Sequence, residues 1–140
     1  MQKFPPLSLY VHIPWCVQKC PYCDFNSHAQ KGTIPEQEYV QHLIADLEAD
    51  LEKYQASIQN RPLHSIFIGG GTPSLFSSES IKLLLAEIQR RIPFSENIEI
   101  TMEANPGTVE AERFKGYVDA GVTRISMGIQ SFNDDKLQRL

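Results

Sequence analysis

Four times along the chain a short run rich in β-branched and aromatic residues gives way to a helix-like stretch. This alternation constrains the fold more than any single motif does. Leu7–Ile13 (LSLYVHI) reads as a first strand, His64–Ile68 as a second, Asn97–Glu103 as a third and Thr123–Ile129 as a fourth. After the first, a helix is expected from Pro35, because Val40, Leu43, Ile44, Leu47 and Leu51 recur at helical spacing with charges opposite. Ser77 or Ser78 is placed to cap a second helix striped by Ile81, Leu84, Leu85, Ile88 and Ile92. Val109–Ala120 reads as a third helix, with Gly121 suited to the position just past its end, and Asp134 opens a fourth. Consecutive strand–helix units require parallel strands joined by right-handed crossovers. Such α/β sheets place their chemistry in the loops at the carboxyl ends of the strands. Four units are too few to close a barrel, and the sequence stops inside an amphipathic pattern. We therefore expect a piece of a longer protein.

Composition excludes several alternatives. The 140 residues carry 13 Lys+Arg against 17 Asp+Glu, a formal charge of −4, which is the wrong sign for a nucleic-acid-binding face. With 41% hydrophobic and 21% charged residues the chain is a folded domain rather than a disordered tail. No apolar run approaches the ~18–20 residues of a membrane helix. The N-terminal MQKFPPLSLYVHIPWC, with one Lys, two prolines and a short apolar run, does not read as a signal peptide. The expected compartment is the cytoplasm.

All three cysteines fall within eight residues, as Cys16-x3-Cys20-x2-Cys23, directly after the first strand. An odd number so closely spaced is a poor disulfide framework and a good metal-ligand group in a reducing compartment. Two centres compete for it. With His28 or His12 the thiols would complete a closed Cys3His zinc site. Alternatively, three thiolates hold a [4Fe–4S] cube and leave one iron without a protein ligand. Most storage and electron-transfer clusters use four cysteines, so three point to reactivity.

Beyond the cysteines, each remaining strand leads into a polar or glycine-rich motif. Gly69-Gly70-Gly71-Thr72-Pro73 follows the second strand, and glycines there let a backbone approach a neighbour closely. It is no dinucleotide fingerprint, because the last glycine of G-x-G-x-x-G would fall at Ser74, and no Gly-Lys-Ser/Thr follows. Glu103 ends the third strand before the Asn105-Pro106-Gly107 turn, and Gln130 follows the fourth. An amide such as Gln130 both donates and accepts. The parallel topology gathers these motifs at one edge. Arg124, inside the fourth strand, is a candidate inward charge without an assigned role, and His12, His42 and His64 read as structural or exposed.

Cys16-x3-Cys20-x-Tyr22-Cys23 matches the signature of the radical S-adenosylmethionine (SAM) superfamily. The stretch LYVHIPWCVQKCPYCDFNSH, followed in order by GGGTPSL, EANPGT and GIQSFN, resembles the coproporphyrinogen oxidase family in its HemW-type haem-chaperone branch. This resemblance covers nearly the whole chain. It implies the first four units of a partial (βα)6 TIM-like barrel, with residues 1–140 forming part of a radical SAM core domain. It implies that Cys16, Cys20 and Cys23 hold a [4Fe–4S] cluster whose fourth iron SAM chelates. Tyr10 matches a SAM-contacting tyrosine at the end of the first strand, and Tyr22 the aromatic residue near the bound nucleoside. Gly70, Gly71 and Thr72 match a segment contacting the methionine part of SAM, and Glu103 and Gln130 match further SAM-binding positions. The implied cargo is haem, with a haem-acceptor protein, transiently visited at a membrane, and an electron donor for the cluster as partners. The oxidase branch carries a further cysteine two positions after the third; here that position is Phe25. The expected function is therefore haem delivery. Radical decarboxylation of coproporphyrinogen propionates is the alternative, and a zinc-stabilised binding module is a weaker one.

Overall fold

A computed structural model of the chain describes residues 4–16, 28–29, 33–105 and 111–127. Strand β1 (Leu7–Ile13) alternates, with Val11 and Ile13 buried and Ser8 and Tyr10 exposed. A two-residue ladder follows, in which β2 (Trp15–Cys16) pairs in parallel with β3 (His28–Ala29). This pairing was not expected inside a stretch of irregular sequence. Then come α1 (Glu36–Lys53), a single helical turn α2 (Gln55–Ile58), β4 (Leu63–Gly70), a 3₁₀ turn at Pro73–Leu75 and α3 (Ser78–Arg91). The described chain ends with β5 (Phe94–Ala104), α4 (Ala111–Ala120) and β6 (Arg124–Met127). The helix expected from Asp134 lies outside the described residues.

The main sheet has the order β1-β4-β5-β6 with every neighbouring pair parallel. Each new strand adds beside its predecessor in chain order, without the reversal that marks a doubly wound sheet. One face is therefore covered and the other left open. Val11, Ile13, Ile66, Ile68, Ile100 and Met102 form the covered face and are all buried. Against them pack Val40, Ile44 and Leu47 from α1 and Ile81, Leu84, Leu85 and Ile88 from α3. The helical stripes read from the sequence are these residues, with Leu43 and Leu51 half-buried at the margin. Fully burying one such side chain stabilises the fold by roughly 1.5–3 kcal/mol.

Local signals set the boundaries. Ser77 caps α3, its hydroxyl accepting from the Ser80 N–H at 3.2 Å. Gly121, at φ +119°, closes α4: its N–H reaches the Val118 carbonyl, and that of Val122 reaches Tyr117, each at 3.0 Å. The second strand runs further than its composition predicts, through Gly69 and Gly70. Both glycines pair with β1, opposite His12 and Ile13. Register with a neighbour, rather than propensity, carries them into the sheet.

Candidate functional site at the carboxyl edge of the sheet

On the open face the register aligns side chains in rows. Ser8, Ser65 and Glu99 form one row, and Tyr10, Phe67, Thr101 and Arg124 the next. His12 is opposite Gly69, and Glu103 pairs with Ser126 one step further toward the carboxyl edge. Tyr10 lies mid-strand, three residues before the end of β1, which corrects the expected placement at the strand end. Its ring stacks on Phe67 at 6.2 Å with 18° between planes, and its hydroxyl bonds His12 Nδ1 at 2.8 Å. A two-residue spacing in a strand puts Tyr10 and His12 on one face, so this pair was legible in the sequence, where His12 is read as structural or exposed or as the fourth ligand of the zinc alternative.

Glu103 reaches into the same group. The Gly70 N–H favours its ionised form, and a Cβ at Gly69 would lie 3.3 Å from both its Cδ and its Oε2. Burial pushes its carboxyl above the usual range, while the Gly70 N–H and His12 pull partly the other way. Burial also raises the Tyr10 phenol, and the Glu103 charge adds to that. Tyr10, His12, Gly70 and Glu103 thus form one electrostatic unit. Arg124, the candidate inward charge, stands on the open face and donates to Glu99 at 2.9 Å.

The glycines and the root of the cysteine loop are joined through the backbone. Gly71 N–H donates to the Ile13 carbonyl at 2.7 Å, and Thr72 N–H to the Trp15 carbonyl at 2.6 Å. A Cβ at Gly71 would collide with the Trp15 carbonyl, and one at Gly70, whose φ is +117°, would lie 2.7 Å from the Ile13 oxygen. The close approach that these glycines permit here is of chain to chain. Thr72 is buried and leads into the Pro73–Leu75 turn. Beneath the loop root, Trp15 meets Tyr39 edge-on at 4.7 Å and Phe76 at 6.0 Å, and the Tyr39 hydroxyl donates to the His12 carbonyl at 2.6 Å. The fully buried Tyr117 donates its hydroxyl to the Ser74 and Phe76 carbonyls at 2.8 and 2.7 Å, tying α4 to the glycine turn. Neither Tyr39 nor Tyr117 carries a local sequence signal for this role, because their partners lie 27 and 41–43 residues away.

Of the residues singled out in the sequence, Gly70, Gly71, Thr72 and Glu103 are brought to one edge of the sheet, with Tyr10 one row back from it and Cys16 near them in β2. Cys20, Tyr22, Cys23, Phe25 and Gln130 lie outside the described residues. No group of three His, Cys, Asp or Glu side chains able to hold a metal occurs among the described residues. The fit to a metal centre therefore rests on the chemistry of the three-thiol donor set. No helix among the described residues is long and apolar enough to cross a membrane.

Comparison with known proteins extends this picture. The heme chaperone HemW of Haemophilus influenzae is 77% identical over all 140 residues, which correspond to 37% of that protein. HemW of Escherichia coli is 61% identical over the same span, 36% of its length. HemW of Bacillus subtilis is 42% identical over 95% of this chain and 34% of its own. The chain thus spans little more than a third of these curated relatives. Among solved structures, the coproporphyrinogen III oxidase HemN of Escherichia coli, titled a radical SAM enzyme, matches with a TM-score of 0.76 and 28% identity. That match covers 95% of this chain and 30% of HemN. The likeness agrees with the parallel α/β architecture and its reading as the N-terminal part of a radical SAM barrel. The family model of the radical SAM superfamily matches residues 10–140, and the chain belongs to that superfamily.

Proposed function

We propose that the protein to which this chain belongs is a haem chaperone, binding a [4Fe–4S] cluster and SAM and passing haem to an acceptor protein in the cytoplasm. In this reading residues 1–140 supply the first four units of the radical SAM core domain. Cys16, Cys20 and Cys23 hold the cluster, and Tyr10, Tyr22, Gly70, Gly71, Thr72, Glu103 and Gln130 line the SAM site. The observation that carries it is the convergence at one sheet edge of the loop root at Cys16, the glycine turn and a half-buried carboxylate. The high identity to proteins named heme chaperone supports the cargo.

A [4Fe–4S] cluster held by Cys16, Cys20 and Cys23 would supply one-electron reducing chemistry next to the SAM site. The chain's own residues have separate tasks. The Gly71 and Thr72 amides fix the distance between the glycine turn and the cysteine loop root through the Ile13 and Trp15 carbonyls. Glu103 offers a carboxylate to cationic or hydroxyl donors, and a carboxylate at the edge of an apolar layer binds an ammonium group more strongly than one in water. Tyr10 and Phe67 offer a flat apolar surface beside it.

The second reading, coproporphyrinogen oxidation, draws on the structural match to HemN. Phe25 weighs against it, since a phenyl ring has no redox or ligand chemistry in place of a thiol. The deciding experiment uses full-length protein after anaerobic iron–sulfur reconstitution. Haem titration should give saturable binding, and coproporphyrinogen III with SAM and reductant should yield no decarboxylated product. Product at a rate comparable to that of an authentic oxidase would overturn the chaperone reading.

A further inference from the structure

The three glycines after Ile68 have different physical reasons for being glycine. Gly70 has a positive φ, which L side chains rarely adopt, and Gly71 packs its Cα against the Trp15 backbone. Gly69 has neither reason. Its φ is not positive, and no backbone atom is among the nearest neighbours of a Cβ built on it. A glycine in a strand interior weakens the strand, so one whose backbone would accept alanine needs another cause.

That cause is visible on the open face. The two preceding rows carry side chains on β1, β4 and β5, as Ser8–Ser65–Glu99 and Tyr10–Phe67–Thr101. One step on, His12 is opposite Gly69, and the carboxylate of Glu103 leans over the vacant place. An added Cβ would lie 3.3 Å from Glu103 Cδ and Oε2 and 2.8 Å from Cε1 of Phe67. The Phe67 atom is the far end of a 38% exposed side chain that stacks on Tyr10. The Glu103 carboxylate occupies the vacant place itself, at 3.3 Å from where that Cβ would stand and beside the Gly70 N–H. We infer that Gly69 is a positioning residue: the notch left by its missing side chain seats the Glu103 carboxylate against the Gly70 amide, facing the carboxyl edge. For its ligand the inference rests on the SAM reading above; the notch is a property of the strands themselves.

The test uses full-length, cluster-loaded protein and measures SAM affinity by equilibrium dialysis for Gly69→Ala, Glu103→Ala and the double variant. Gly69→Ala should weaken SAM binding about tenfold or more, the loss expected when a charge-assisted hydrogen bond is misplaced. In the Glu103→Ala background the same change should cost less than about twofold, because its target is already gone. Glu103→Asp, one methylene shorter, should recover part of the loss in the Gly69→Ala background. Affinity of Gly69→Ala within twofold of wild type, or losses that add in full, would overturn the inference. If Gly69→Ala proves unstable, Glu103→Ala must restore its melting temperature; instability that persists in the double variant counts against the notch. Should the wild type bind no SAM, the proposed function fails, and a crystal structure of SAM-free Gly69→Ala decides the inference separately. A carboxylate displaced from the Gly70 N–H supports the notch, and one still in place overturns it.

Discussion

Glu103 is a carboxylate held where its charge is costly. Burial raises its pKa above the usual carboxylate value, and the Gly70 N–H and His12 offset this only in part. A raised acid pKa means that the folded state binds more protons than the unfolded one across the interval between the two values. Stability then falls as pH rises through that interval. The charge therefore works against the fold at neutral pH. Glu103→Gln keeps an acceptor for the Gly70 N–H and removes the charge. It should raise the thermal midpoint at pH 7, with the gain fading as pH falls below the ordinary carboxylate value. A midpoint lowered at pH 7 would count against this account. For binding the sign reverses. Glu103→Ala should weaken SAM by about 1–3 kcal/mol if a charge-assisted hydrogen bond is lost, measured by dialysis on full-length protein. Glu103 was legible as a strand-end acid, whereas its coupling to Tyr10 and His12 depends on the register between β1, β4 and β5.

At the scale of elements, the carboxyl-edge turn is anchored from outside the sheet. Tyr117 on α4 spans 41 and 43 residues to bond the Phe76 and Ser74 carbonyls. Removing its hydroxyl takes away these buried hydrogen bonds, so Tyr117→Phe should destabilise the protein by about 1–3 kcal/mol in urea unfolding. Loss of the α3 cap in Ser77→Ala should cost about 1 kcal/mol, with little effect on SAM affinity because Ser77 faces Glu36 and Ser80 instead. The helices were readable because Val40, Ile44 and Leu47, and Ile81, Leu84, Leu85 and Ile88, repeat with the period of a helix against one partner layer. The extension of β4 through Gly69 and Gly70 was not, since glycine has no strand propensity and only the β1 partner holds it there. The β2–β3 ladder was hidden for the same reason, because two residues carry no periodicity.

For the whole molecule, chain-order addition of strands leaves one face open. On it Tyr10 is 57% exposed and stacks on a partly exposed Phe67, beside the Arg124–Glu99 pair. In the described sheet β1 and β6 are edge strands, and unpaired edges template association. Residues 1–140 expressed alone should therefore associate or unfold without a sharp transition, as read by sedimentation and calorimetry. A monomer with a cooperative transition would show that this segment needs no cover. In the proposed function one sheet edge joins a cysteine-held cluster to a SAM pocket. Electron paramagnetic resonance of the reduced cluster in anaerobically reconstituted full-length protein, recorded with and without SAM, tests it most directly. A saturable change of the signal is expected on SAM addition, shifted to higher SAM concentration in Glu103→Ala. An unchanged spectrum at the highest attainable SAM, or stoichiometric zinc with no iron in the anaerobically purified protein, would contradict it.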